Sequence, residues 1–117
     1  MGRKEQERQF SGDLRRYLFF LRRGRGLTLG EISENVHAAC QERPVEDIQI
    51  KILPSFEGRR TDAYIRNALE GIDPEKTIFI LYLRELNPKA QELNKIRELV
   101  KQYCPDFDWE SYNKCKA

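Results

Sequence analysis

Between Ser11 and Val36 the chain reads SGDLRRYLFFLRRGRGLTLGEISENV, and its punctuation leaves room for little except two helices joined by a tight turn. Ser11 is an expected N-cap, with the Asp13 carboxylate in the first turn where it favours the helix dipole. Phe10, Leu14, Tyr17, Leu18 and Leu21 recur at three- and four-residue steps, the spacing of one apolar helical face. Gly24 is the expected left-handed residue that ends this helix. The next helix opens with a full signature: Thr28 as cap, Glu31 three residues on as its capping-box partner, and Leu27 with Ile32 as the hydrophobic staple.

The rest of the chain adds helices to this pair. Residues 1–10 are polar and charged and read as a flexible basic arm, leaving 11–117 as a single domain. The second helix continues through Leu29, Ile32, Val36, Ala39 and Cys40 and stops before Pro44. Thr61 is the expected cap of a helix that buries Ile65, Ala68 and Leu69 and ends at Gly71, with Ile72 placed for a Schellman contact. Asp73-Pro74-Glu75 introduces KTIFILYLREL, read as a buried helix, and Asn87-Pro88 opens a last long helix that Pro105 ends. Phe107, Trp109 and Tyr112 give the tail enough aromatic surface to pack back onto the body.

Residues 45–53, VEDIQIKIL, are the ambiguous stretch. Val45, Ile48 and Ile52 share a helical face, whereas Ile48, Ile50 and Ile52 alternate as in a strand, and Pro54-Ser55 is expected to break the run. The fold class expected is therefore an all-α compact bundle of five to six helices. The alternative is an α/β arrangement with a small sheet from residues 47–53, 76–83 and 107–112.

Composition narrows function more by exclusion than by direction. With 39% hydrophobic and 34% charged residues the chain is globular and heavily solvated, and its longest apolar run, Ile78–Leu83, is too short to span a bilayer. Three cysteines without a framework spacing and a charged start without a signal-peptide core favour a reducing, cytoplasmic setting. Charge is segregated: residues 1–27 carry eight Lys/Arg against three acids, and residues 28–58 carry two against six. Such a division suits a polar binding face or a homodimer in which opposite halves meet.

Little points to an enzyme. The single histidine, His37, lies in a polar stretch, and with Cys40, Cys104 and Cys115 it makes a Cys3His set whose second pair lacks a knuckle spacing; buried reduced cysteines are the simpler reading. Gly24-x-Gly26 has neither a third glycine nor a preceding strand, so it is a turn and not a phosphate loop. Asp62 with Glu70, and Asp106 with Asp108 and Glu110, read as solvated acids. No cofactor or metal is expected.

The arginines carry the main functional signal. Arg15, Arg16, Arg22, Arg23 and Arg25 form one cluster and Arg59, Arg60 and Arg66 a second. A guanidinium fork suits phosphate and guanine edges, so two such clusters on one face would track a nucleic-acid backbone.

The pattern Leu18-x-x-Leu21-Arg22-x-x-x-Gly26-Leu27-Thr28-Leu29-x-Glu31-Ile32-Ser33, followed by Phe56-Glu57-Gly58-Arg59-Arg60, resembles the Cro/repressor-type helix-turn-helix family over residues 14–72. The separation of Thr28 from Glu57 is longer than in that family. The resemblance implies a DNA-binding transcription regulator whose third helix enters the major groove of duplex DNA. It implies that Gln49 and Lys51 lie on or beside the groove-facing element, and that Arg59 and Arg60 hold the backbone from the turn that follows. The rival expectation is a protein–protein interaction module, a death-fold-like adaptor or small inhibitor, with the charge segregation serving a protein partner.

Overall fold

The computed structural model describes the backbone of residues 2–114 and the side chains of residues 12–114. It is all-α, with no strand among the described residues: α1 (Gly2–Gly24), α2 (Leu29–Ala39), α3 (Val45–Asp47), a π-helical turn (Ile48–Ile52), α4 (Leu53–Phe56), α5 (Ala63–Leu69), α6 (Glu75–Leu86), α7 (Ala90–Tyr103) and α8 (Trp109–Lys114). The sheet alternative is overturned, since each of its three segments enters a helix. Ile48 and Ile52 are buried while Ile50 is 51% exposed, so the four-residue period, not the two-residue one, decides residues 47–53.

The α1–α2 turn forms as its residues require, with one displacement. Helix α1 runs through Ser11, which therefore does not cap it, and its backbone is helical from Gly2 onward. The side chain of Phe10 lies outside the described residues. Gly26, not Gly24, takes the left-handed conformation, at φ 67°. The Gly26 N–H reaches Arg23 O and the Leu27 N–H reaches Arg22 O, the bonding of a Schellman ending. Thr28 then caps α2 reciprocally: Glu31 N–H donates to Thr28 Oγ1 at 3.1 Å and Thr28 N–H to Glu31 Oε1 at 3.2 Å. Ile32 and Val36 are buried below it, but at the far end Ala39, expected on the same face, is exposed and only Cys40 is buried.

The segments from Val45 to Phe56 continue one another as a single helical rod, with helical backbone at both junctions. Pro54 does not break it, contrary to expectation. Proline has no N–H, and its ring crowds the carbonyl four residues back. The wider turn just before it, where Leu53 N–H reaches five residues back to Ile48 O, lets the rod run past Pro54. Ile48, Ile52, Leu53 and Phe56 all point into the core.

KTIFILYLREL is helical despite its β-branched content because α6 is the central element: α2, α5 and α8 all pack on it. Ile78, Phe79, Tyr82, Leu83 and Leu86 are fully buried. Two starts shift by a residue or more. Asp62, not Thr61, precedes α5, and α7 begins at Ala90 because Asn87, left-handed at φ 48°, ends α6. Gly71 and Ile72 make the expected Schellman bonds at the end of α5, although Ile72 stays 47% exposed. The tail folds back as its aromatics imply, through ring contacts from Phe79 to Phe107 at 5.7 Å and Phe107 to Trp109 at 4.9 Å. Asp108 accepts the Ser111 N–H at the start of α8 and takes Lys76 of α6 at 3.1 Å. The bonds from Ser111, then Lys76, hold the Asp108 carboxyl down at about 2.

The capping box makes the first prediction. Thr28→Ala removes one reciprocal bond and is expected to lower stability by about 1 kcal/mol, read as a lower denaturant midpoint at unchanged slope. An unchanged midpoint would mean that the cap contributes nothing to holding α2.

Candidate nucleic-acid interface

Arg22 sits on the same edge of α1 as the core leucines, four residues after Leu18 and eight after Leu14. Its guanidinium therefore points inward, where Nε donates to Glu57 Oε2 at 2.7 Å; the two side chains are 8% and 0% exposed. A second guanidinium nitrogen donates to Leu27 O at 2.7 Å, tying the α1–α2 turn to the same point. The Tyr82 hydroxyl of α6 donates to the same Glu57 oxygen at 2.7 Å. Glu57 Oε1 is buried without a hydrogen-bond partner among the described residues, so Arg22 and Tyr82 carry the compensation of its charge. Burial, then the charge and hydrogen bond of Glu57, raise Tyr82 well above its ordinary value.

This cluster fixes the turn after the rod. Glu57 N–H and Arg59 N–H both reach Pro54 O, and Gly58 turns the chain with φ 75°. Arg15, about two turns before Arg22, holds the other side of the same turn: Nε donates to Ser55 O at 2.9 Å, and another nitrogen donates to Arg60 O. Desolvation lowers Arg15 from its ordinary value, opposed by the charge of Asp62. The backbone of 55–60 is thus gripped by two arginines of α1, while the side chains of Arg59 and Arg60 stand exposed.

The ten residues proposed from sequence divide into three groups. Arg22 is internal and serves the fold, and Arg15 is half-buried on backbone carbonyls. Arg25 pairs with Glu92, and Arg66 pairs with Asp62 at 2.7 Å while stacking on Tyr103 at 5.6 Å. Arg16, Arg23, Gln49, Lys51, Arg59 and Arg60 are exposed. Arg23 lies over the Phe19 ring at 5.6 Å, and Lys51 is 3.7 Å from Asp47.

The rod offers solvent an edge of Glu46, Gln49, Ile50 and Lys51. Its middle is registered against α2: a Cβ at Gly30 would lie 3.5 Å from Gln49 Nε2 and 3.9 Å from Thr28 Oγ1. The first turn of α2 and the middle of the rod therefore share one surface. Thr28 and Glu57 are joined by the 11-residue α2 and by the full helical run of the rod.

The other candidate chemistries find no geometry. No group of three or more His, Cys, Asp or Glu side chains is arranged for a metal ion among the described residues; Cys115 of the zinc set lies outside them, and Cys40 is buried. Asp62 is engaged with Arg66 and Asp108 with Lys76. No described helix is long and apolar enough to cross a membrane. No protein-family model, curated protein or solved structure matches the chain.

The sequence places Glu57 only in the turn before Arg59 and Arg60 and assigns no role to Tyr82. The available signal was Arg22 itself, a charge in register with Leu14 and Leu18, which implies a buried acid somewhere else in the chain.

Breaking the cluster from one side leaves a buried charge. Glu57→Ala is expected to cost about 3–5 kcal/mol by chemical denaturation, and Tyr82→Phe about 1.5–3 kcal/mol. The pH dependence follows from the raised Tyr82. Its contribution is fully present below the unfolded value of 10.0 and is lost as pH climbs toward the folded value. Wild type should therefore lose more stability than Tyr82→Phe between pH 9 and pH 11, and parallel curves would contradict the assignment.

Proposed function

We propose that the chain is a helix-turn-helix module that binds duplex DNA, with the rod from Val45 to Phe56 as its groove-facing element. The observation that carries this reading is the locked turn. Arg22, Glu57 and Tyr82 anchor the end of the rod from inside, and Arg15 anchors it from α1, so Arg59 and Arg60 project from a backbone held by side chains of two other helices. Two exposed guanidinium groups on a turn held in this way suit phosphate contacts, which fix register without reading sequence. The exposed edge of the rod beside the capped start of α2 supplies Gln49, whose amide has the donor and acceptor needed at an adenine edge, and Lys51 next to it. Arg16 and Arg23 lie on the outer line of α1, available to neighbouring phosphates. The family resemblance over residues 14–72 points to the same element, and transcription regulation is the role it implies.

The reading separates the side chains by task. Replacing Arg59 and Arg60 together by alanine should weaken all duplex sequences about equally and lower the slope of log affinity against log salt by about two. Gln49→Ala should change sequence preference with little effect on that slope. Absence of duplex binding by folded wild type at low salt would reject the proposal and favour the protein-interaction alternative, for which Arg59 and Arg60 would matter to a protein partner only.

A further inference from the structure

Lys76 and Arg84 stand about two turns apart on α6, and both reach α8. Lys76 meets Asp108 at the start of α8, and Arg84 lies over the Tyr112 ring at 4.9 Å. From α7, Arg97 lies over the Trp109 ring at 5.1 Å. The two rings meet edge to face with centroids 6.0 Å apart, so α8 is clasped between two guanidinium groups. A ring face attracts a cation without neutralising it. Among the described residues neither arginine side chain has a carboxylate or a hydrogen-bond acceptor, and Arg97 Nε is buried without one. Both side chains are half-buried, and contact with the rings orders their forks before any anion arrives.

We infer that this face of α6, α7 and α8 docks an acidic peptide segment of a protein partner, whose carboxylates take the forks of Arg84 and Arg97. Lys101, exposed one turn after Arg97 on α7, extends the positive side. A nucleic-acid base has no ring to stack on here: Tyr112 is buried, and Trp109 is covered by Arg97 and packed against Phe107 and Tyr112. Asp106 and Glu110, exposed beside the patch, oppose the unbroken phosphate row of a duplex. Separate carboxylates on an extended peptide reach the two forks one at a time, each as a charge-assisted pair. The surface uses none of the residues assigned to DNA, so it stands apart from that reading.

Trp109 is the chain's one tryptophan, so its emission reports on this face directly. A fluorescein-labelled oligo-glutamate peptide, added to the full chain at low salt, should bind by anisotropy and shift Trp109 emission over the same range. Rising salt should weaken the binding. Replacing Arg84 and Arg97 together by glutamine should weaken it about tenfold or more, with circular dichroism certifying the fold. Replacing both by lysine keeps the charges and loses the forks; this pair should also bind more weakly than wild type, and it serves if the glutamine pair unfolds. Arg59→Ala with Arg60→Ala should leave peptide binding unchanged, whatever it does to duplex binding. No peptide binding at low salt overturns the inference, as does binding that leaves Trp109 emission still or that the folded variants retain in full. Duplex DNA that displaces the peptide and shifts Trp109 would give the face to nucleic acid and overturn it too.

Discussion

A carboxylate with no exposed side-chain surface is tolerable only where a cation and hydrogen-bond donors meet it, and Glu57 is met by Arg22 and Tyr82. The three groups come from the end of the rod, from α1 and from α6, so the geometry of their contact sets how three helices sit together. A buried ion pair adds little net stability over a well-packed apolar group, because desolvation offsets its Coulomb attraction. Its effect is on choice: any packing that moves Glu57 away from Arg22 leaves two buried charges unpaired. The chain uses that penalty at the one turn whose side chains, Arg59 and Arg60, the proposed function needs in place.

Around this point the structure spends its other arginines on position as well. Arg15 binds the carbonyls of Ser55 and Arg60, and Arg25 ties the end of α1 to Glu92 of α7. The segregation of charge along the sequence is therefore partly an internal matter, resolved by pairs across helices. What remains exposed among the described arginines is a smaller set, Arg16, Arg23, Arg59 and Arg60, lying along α1 and the turn beside it. The π-helical turn belongs to the same scheme, since it carries the rod past Pro54 and delivers Glu57 to its partners.

Much of the fold was legible because local chemistry decides it. The Thr28 capping box and the Schellman ending at Gly71 are settled by neighbours in sequence, and the aromatic composition of the tail announced that it would pack back. The elements that escaped are those decided by distant contacts. Residues 47–53 and α6 carry β-branched side chains suited to a strand; burial of Ile48 and Ile52 on one face makes the first helical, and packing by three other helices makes α6 so. Pro54 reads as a breaker because a π-helical turn leaves no trace in composition. At the candidate site, the exposed arginines were visible as a cluster, but which of them are buried or paired depends on Glu57, Glu92 and Asp62, far away in sequence.

The central claim is that the locked turn and the rod together form the surface that meets DNA. Amide chemical shifts recorded during titration with duplex DNA test it most directly, because they report each residue separately. The account predicts changes concentrated at Thr28–Gly30, at Glu46–Lys51 and at Gly58–Arg60, with the amides of α8 unmoved. Changes confined to α7 and α8, or none at low salt with a folded sample, would contradict it.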